Sequence, residues 1–213
     1  MIKKITFLFF TLIFLLYSNF LYSLSASSYL ISHIAFNSYD FENVFDQFDI
    51  KKNELNLYDY QIKLIALINL NKLSFANDIA LKILEKDSDN QEALIVNFVY
   101  LINKKENSKI NIFRINNRKN INELIDFIFF KNNKLKSTDE ISNSFIEVVE
   151  ASFSNFPSYD EINNNLLIYY LSMSTILNSE NNKAWFLTGQ LYQMIGEYEK
   201  VEFFYKKINT KSP

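Results

Sequence analysis

Between residues 182 and 213 the chain spells out a helical hairpin. Trp185, Thr188, Gly189 and Tyr192 recur at i, i+3, i+4, i+7, which stacks them on one face of a first helix. Gly196 breaks that helix, because a residue without a Cβ can take the left-handed conformation that closes a helix end. After it, Val201, Phe204, Tyr205 and Ile208 repeat the same spacing on a second helix, so two apolar stripes can close on each other as an antiparallel pair. Pro213 is expected to end the hairpin. Both glycines of the chain, its only tryptophan and one of its two prolines fall in this window. Gly189 is the small residue that lets the two backbones approach.

Across the whole chain, two prolines and two glycines in 213 residues leave β-hairpins and barrels without the punctuation they require. An apolar content of 48% is enough to bury a continuous core. Helices joined by short polar turns satisfy both facts, and the expected fold class is all-α. Asparagine recurs beside lysine and isoleucine, interrupting helical stripes without forming a long tract.

The 182–213 hairpin resembles the tetratricopeptide repeat, a unit of roughly 34 residues with W-x2-L-G-x2-Y in its first helix and a proline at its end. It departs from the family at Thr188, where Leu is preferred, and at Val201 and Ile208, where Ala is preferred. The resemblance recurs upstream. Leu94, Asn97, Phe98 and Leu101 reproduce the spacing of Trp185, Thr188, Gly189 and Tyr192. The turn Asp87-Ser88-Asp89-Asn90 stands where the family commonly has Asp-Pro-Asp-Asn, and Ala76, Ala80, Ile83 and Ser88 match the spacing of Val201, Tyr205, Ile208 and Pro213. Phe98 then takes the place of Gly189 and Ala80 that of Tyr205, an exchange of large and small that conserves volume.

The resemblance extends over most of residues 54–213. It implies a helix-turn-helix α-solenoid in which Trp185, Gly189, Tyr192, Gly196, Tyr205 and Pro213 are structural. It also implies a concave groove lined by the first helix of each hairpin. By spacing from Trp185 the groove residues are Lys183, Phe186, Gln190, Gln193 and Met194; from Leu94 they are Glu92, Ile95, Val99, Ile102 and Asn103. Of a set of Lys, Arg and Asn able to hold a C-terminal carboxylate only Lys183 is present, which disfavours binding of chaperone tails.

The remaining chain reads as further helices. Residues 27–36 form one, with Tyr29, Leu30, His33 and Ile34 on adjacent turns, and Phe41, Val44, Phe45 and Phe48 stripe the next. A helix over about 54–70 carries Leu57, Tyr60, Leu64 and Leu67, and is followed by one with Ala76, Ile79, Ala80, Ile83 and Leu84. Between about 103 and 137 the register is lost, with mixed helix and strand periodicity, a helix over 121–130 and a polar turn at 131–136. Thr138, followed by Asp139 and Glu140, caps a helix running to about Phe153, and Phe156-Pro157 ends it. Residues 160–177 supply a partner helix with Leu167, Leu171 and Ser174 toward the final hairpin.

Ahead of all this stands a targeting segment. Lys3 and Lys4 precede an apolar run from Ile5 to Leu16, and Ser23, Ser25 and Ala26 offer small residues for cleavage. Residues 1–25 read as a secretory signal peptide or, since the apolar character continues through Tyr22, an uncleaved anchor tethering the chain through residues 5–24. Either reading places the remainder, 26–213, outside the cytoplasm, in a periplasm or on the extracytoplasmic face of the membrane.

Catalytic chemistry finds little to stand on. There is no Cys, so thiol nucleophiles, disulfides and Cys-based metal sites are excluded. The single histidine, His33, has no second His and no acid at i+3 or i+4. The acid pairs Asp139-Glu140 and Asp160-Glu161 sit at helix starts, where the macrodipole accounts for them. With both glycines in one hairpin no Gly-rich phosphate loop can form, and a formal charge of −2 gives no field for nucleic acid. The expectation is a scaffold for a protein or peptide, with no catalysis, cofactor or metal. The alternative is a cell-envelope glycan- or lipid-binding regulatory subunit using exposed aromatics and the basic run 104–119. Val201, Phe203, Phe204, Tyr205 and Ile208 leave apolar surface on the last helix, which a following repeat, self-association or a partner would cover.

Overall fold

The computed structural model describes residues 27–50, 55–155 and 163–208. Residues 1–26, the carboxy-terminal residues with Pro213, and the Phe156-Pro157 and Asp160-Glu161 positions lie outside the described residues, so the leader and those two expectations are not addressed by it. The described chain is all-α apart from one short hairpin. Eleven helices are present among the described residues: α1 (27–37), α2 (Phe41–Ile50), α3 (Leu57–Asn69), α4 (Leu73–Lys86), α5 (Gln91–Asn103), α6 (Asn107–Asn116), α7 (Glu123–Phe129), α8 (Thr138–Asn155), α9 (Asn164–Leu177), α10 (Asn182–Met194) and α11 (Tyr198–Tyr205). Among the described residues no helix is long and apolar enough to cross a membrane. Two compact units divide the chain, residues 1–66 and 67–213.

In the first unit α2 buries Phe41, Val44 and Phe48 of the four-residue stripe expected of it and leaves Phe45 half-buried. On α1 the expectation is corrected. Its buried residues are Ser28, Ser32 and Ala35, while Tyr29, Leu30, Ile31 and Ile34 are exposed. The i, i+4, i+7 set that packs inward is the small one, because small side chains permit close approach. His33 Nε2 lies 3.4 Å from Oδ1 of Asp59, a carboxylate buried to 1% exposure. No local spacing announces this partner, which is 26 residues away.

The second unit is built on aromatic contacts that run through five helices. Phe98 on α5 is fully buried and meets Phe113 of α6 at 5.0 Å, Phe129 of α7 at 4.9 Å and Phe130 at 5.8 Å. Phe129 continues to Phe145 of α8, which stacks on Tyr170 of α9 at 6.1 Å. Edge-to-face and offset geometries of this kind add to what burial alone contributes. Beside them, Asn97 Nδ2 donates to Asn77 Oδ1 at 2.9 Å, so the one amide that α5 turns into the core is satisfied by its neighbour α4.

Helix α6 replaces the mixed periodicity of 103–137, and a polar turn proves to be an antiparallel hairpin of β1 (Phe130–Lys131) and β2 (Lys134–Leu135), Phe130 opposite Leu135. Asn132 and Asn133 both take positive φ, 51° and 61°, the conformation a two-residue hairpin demands and asparagine tolerates. Arg114 clamps this hairpin from α6, with its guanidinium 3.9 Å from the Phe130 ring centre and Nη1 donating to the Asn133 carbonyl at 2.8 Å. At the start of α8 the cap is Ser137 in place of Thr138. Its Oγ accepts from Glu140 N while Glu140 Oε2 accepts from Ser137 N at 2.9 Å, a reciprocal box that places the acid at the third helical position. Helices α8 and α9 approach closely through paired small residues. Ser142 and Ser174 exchange hydroxyl-to-carbonyl hydrogen bonds at 3.0 and 2.9 Å, so Ser174 faces α8 and not the final hairpin.

The turns recur. After α1, α3, α5 and α10 the chain passes through a left-handed residue, respectively Tyr39, Asn71, Lys105 and Gly196. In each case the following N–H reaches back to close the helix: Asp40 to Ala35, Lys72 to Leu67, Glu106 to Leu101 and Glu197 to Tyr192, all at 2.8–3.0 Å. The turns before α5 and α10 also match. Asn90 accepts from Ala93 N and Asn181 from Ala184 N, while Asp87 N and Asn178 N close the preceding helices on Ile83 and Ser174.

Candidate functional site

Helix α10 is positioned from inside. Ala184, Thr188, Gly189, Leu191 and Tyr192 are buried, and Thr188 Oγ1 satisfies itself on the Ala184 carbonyl. With that face fixed, the other side of the helix is left open. Lys183, Phe186, Gln190, Gln193 and Met194 are all exposed.

That open face borders a cleft of about 450 Å³ lined by Phe153 from α8, by Leu187, Gln190, Gln193 and Met194 from α10, and by Tyr198. Gln193 and Tyr198 also border a shallower depression, of about 570 Å³, that runs along α11. The amides of Gln190 and Gln193 can each donate and accept, and Met194 and Phe153 offer adaptable apolar contact. Lys183 is not available as a free cation, since its Nζ lies 2.7 Å from Glu150 Oε1. The residues that line the cleft carry no formal charge. Phe186 stacks on Tyr205 at 6.0 Å.

The equivalent positions of α5 lie differently. Ile95 and Val99 are fully buried, Glu92 and Ile102 are half-buried, and only Asn103 is exposed. The groove expected there is corrected to core, for a specific reason. Helix α9 packs against α5, and Tyr169, itself fully buried, donates its hydroxyl to the Glu92 carbonyl at 2.8 Å.

Burial, and then the nearby Glu92 carboxylate, push the pKa of both Tyr169 and Tyr170 above the ordinary tyrosine value. The sign follows directly. Below pH 10 both rings are neutral folded or unfolded; above it only the unfolded chain releases its phenolic protons readily. The contribution of these two rings to stability is expected to be flat below about pH 10 and to fall above it by about 1.4 kcal/mol per pH unit for each ring. Urea midpoints between pH 8 and 11.5 would read this, and Tyr169→Phe with Tyr170→Phe should flatten the fall. An alkaline fall unchanged in that variant would assign it to other groups.

The repeat-structural residues are found as follows. Gly189 lies under the Tyr205 ring, and Gly196 takes φ +83°. Phe204 is sandwiched, 4.9 Å from the Tyr192 ring and 6.1 Å from Trp185. Trp185 is half-buried, its Nε1 donating to the Ser179 carbonyl at 2.8 Å. Behind it lies a second cleft, about 400 Å³, whose lining includes Trp185, Phe203, Asn69, Ser172 and Lys207; the spacing of aromatic residues gave no hint of it, because α3 and α9 supply its polar side.

The basic run 104–119 does not present one positive face. Lys104 sits 5.7 Å from the Tyr100 ring, Lys109 pairs with Glu106 at 2.6 Å, and Arg114 is held by the hairpin. No protein-family model matches the chain, and none of the curated proteins does.

Proposed function

We propose that the chain is an exported helical-repeat scaffold of the tetratricopeptide type, acting in a periplasm or at the outer face of its membrane, that holds a protein or peptide segment and performs no chemistry. The observation that carries this is the α10 face, where five positions chosen by repeat spacing are all exposed and three of them line the cleft with Phe153. An extended peptide fits its chemistry. The two glutamines can pair with backbone N–H and C=O groups, and an apolar side chain can enter between Phe153 and Met194. The matched turns support the repeat reading, since the left-handed residues Tyr39, Asn71 and Lys105 follow one another at 32 and 34 residues.

A photo-crosslinking amino acid at Gln190 or Phe186 should capture a polypeptide from envelope extract, whereas the same group at Lys82, on the exposed side of α4, should not. Phe153→Ser should weaken the captured interaction by about tenfold or more if that ring is an anchor. Equal capture at Lys82, or none at Gln190, would defeat the reading. The alternative, glycan or lipid binding, draws support from the Trp185 cleft, where aromatic rings stand opposite hydroxyl and amide groups, and less from the basic run, in which Lys104, Lys109 and Arg114 are engaged within the chain. Retention on glycans or lipid that Trp185→Ala abolishes, with no polypeptide captured, would select it.

A further inference from the structure

Helix α1 is inside out. Its buried face is Ser28, Ser32 and Ala35, while Leu30 is 59% exposed, Ile34 57%, and Tyr29 and Ile31 40% each. Leu30, Ile31 and Ile34 share one side of the helix by their i, i+1, i+4 relation. A helix that turns its serines inward and its largest aliphatic side chains outward is adapted to an apolar environment on its outer side.

The chain itself indicates what that environment is. No lysine, arginine or carboxylate occurs between Lys4 and Asp40, so the apolar run 5–24 and α1 belong to one uncharged stretch. Two residues, Ser25 and Ala26, separate Leu24 from the first residue of α1, a span of roughly 10 Å at most. If residues 5–24 stay in the bilayer, with Lys3 and Lys4 on its cytoplasmic side, α1 begins at the opposite headgroup layer. An eleven-residue helix, roughly 16 Å long, is short for binding a membrane unaided, and it carries no cationic side chain. Tethering removes that difficulty, because docking becomes intramolecular and its effective concentration is set by a two-residue link.

We propose that α1 lies in the outer headgroup layer of the membrane, with Leu30, Ile31 and Ile34 toward the acyl chains, so that the leader and α1 together hold the protein against the bilayer. This rests on residues 5–24 remaining attached as an anchor, one of the two fates the sequence leaves open, and on the exported placement proposed above; it does not depend on what α10 binds.

The absence of cysteine makes the test clean, since each introduced thiol is the only one. The full chain carrying Leu30→Cys, Ile34→Cys, Glu42→Cys or Asp46→Cys, labelled with a polarity-sensitive dye, is reconstituted into phosphatidylcholine and phosphatidylglycerol vesicles. At positions 30 and 34 emission should shift to the blue and be quenched by lipids bearing a shallow nitroxide. At 42 and 46, exposed charged positions of α2, it should do neither. With the label at Ile31→Cys, adding Leu30→Ser and Ile34→Ser should abolish the quenching while far-UV circular dichroism is unchanged. Water-like emission at 30 and 34, or a blue shift that nitroxide lipids do not quench, as a second copy covering the face would give, overturns the proposal. So does removal of residues 1–25 in cells with the mature chain wholly in the soluble fraction. Capture of a polypeptide at Gln190 is scored separately and can succeed when this fails.

Discussion

Phe98→Ala is expected to destabilise the second unit by about 3–5 kcal/mol, the range for deleting a large buried aromatic side chain. Phe98 is fully exposed to other rings and not to water: it touches Phe113, Phe129 and Phe130, residues that arrive from α6, α7 and β1. A cavity at that point cannot be closed by one neighbour moving, because the three rings are fixed by separate elements. Phe130 is further pinned beneath Arg114, whose guanidinium is held by the Asn133 carbonyl. Phe98→Leu should cost less, since most of the volume is kept. Urea denaturation of the purified chain reads both, and hydrogen exchange should show lost protection of the β1–β2 amides in Phe98→Ala before any other region. A midpoint within error of wild type would mean that the aromatic contacts do not govern stability.

Much of the helical framework was legible because periodicity and capping speak locally. Phe41, Val44 and Phe48, and Ala76, Ile79, Ala80 and Ile83, are buried as their spacing predicts, while Phe45 and Leu84 of the same stripes are half-buried. The asparagines act as punctuation: Asn90, Asn122, Asn163 and Asn181 each accept a backbone N–H at a helix start. What the sequence could not convey was set by neighbours distant along the chain. Whether α5 lines a groove depends on α9, which brings Tyr169 to Glu92 across 77 residues. The hairpin at 130–135 was hidden by strands of two residues, too short to show alternation, although the Asn132-Asn133 pair was a usable signal. On α1 periodicity identified the helix and misassigned its inner face, since hydrophobic spacing assumes that the large residues point into the protein.

Gly189 is the residue on which the α10 face most directly depends, and Gly189→Leu is expected to undock α11. A Cβ at this position would stand 2.7 Å from Tyr205 Cδ1, and closer still to Cε1, where ordinary contact is 3.4–4 Å. Alanine would gain about 1 kcal/mol in helix propensity over glycine, so its clash is partly offset. Leucine gains nearly as much in propensity but brings three further carbons into the space of the Tyr205 ring. Tyr205 cannot simply swing aside without leaving Phe186, on which it stacks. Yielding is easiest for α11 as a whole, because none of its residues is fully buried. The expected result is local: amides of 198–205 lose hydrogen-exchange protection while those of α8 and α9 keep theirs. Tyr205→Ala combined with Gly189→Leu should restore part of the protection, which a merely disrupted α10 would not allow. Undocking removes Tyr198 from the rim of the cleft, so capture of a polypeptide at Gln190 should weaken in parallel. Protection of α11 indistinguishable from wild type would show that the close approach of the two helices at Gly189 is not what holds them together.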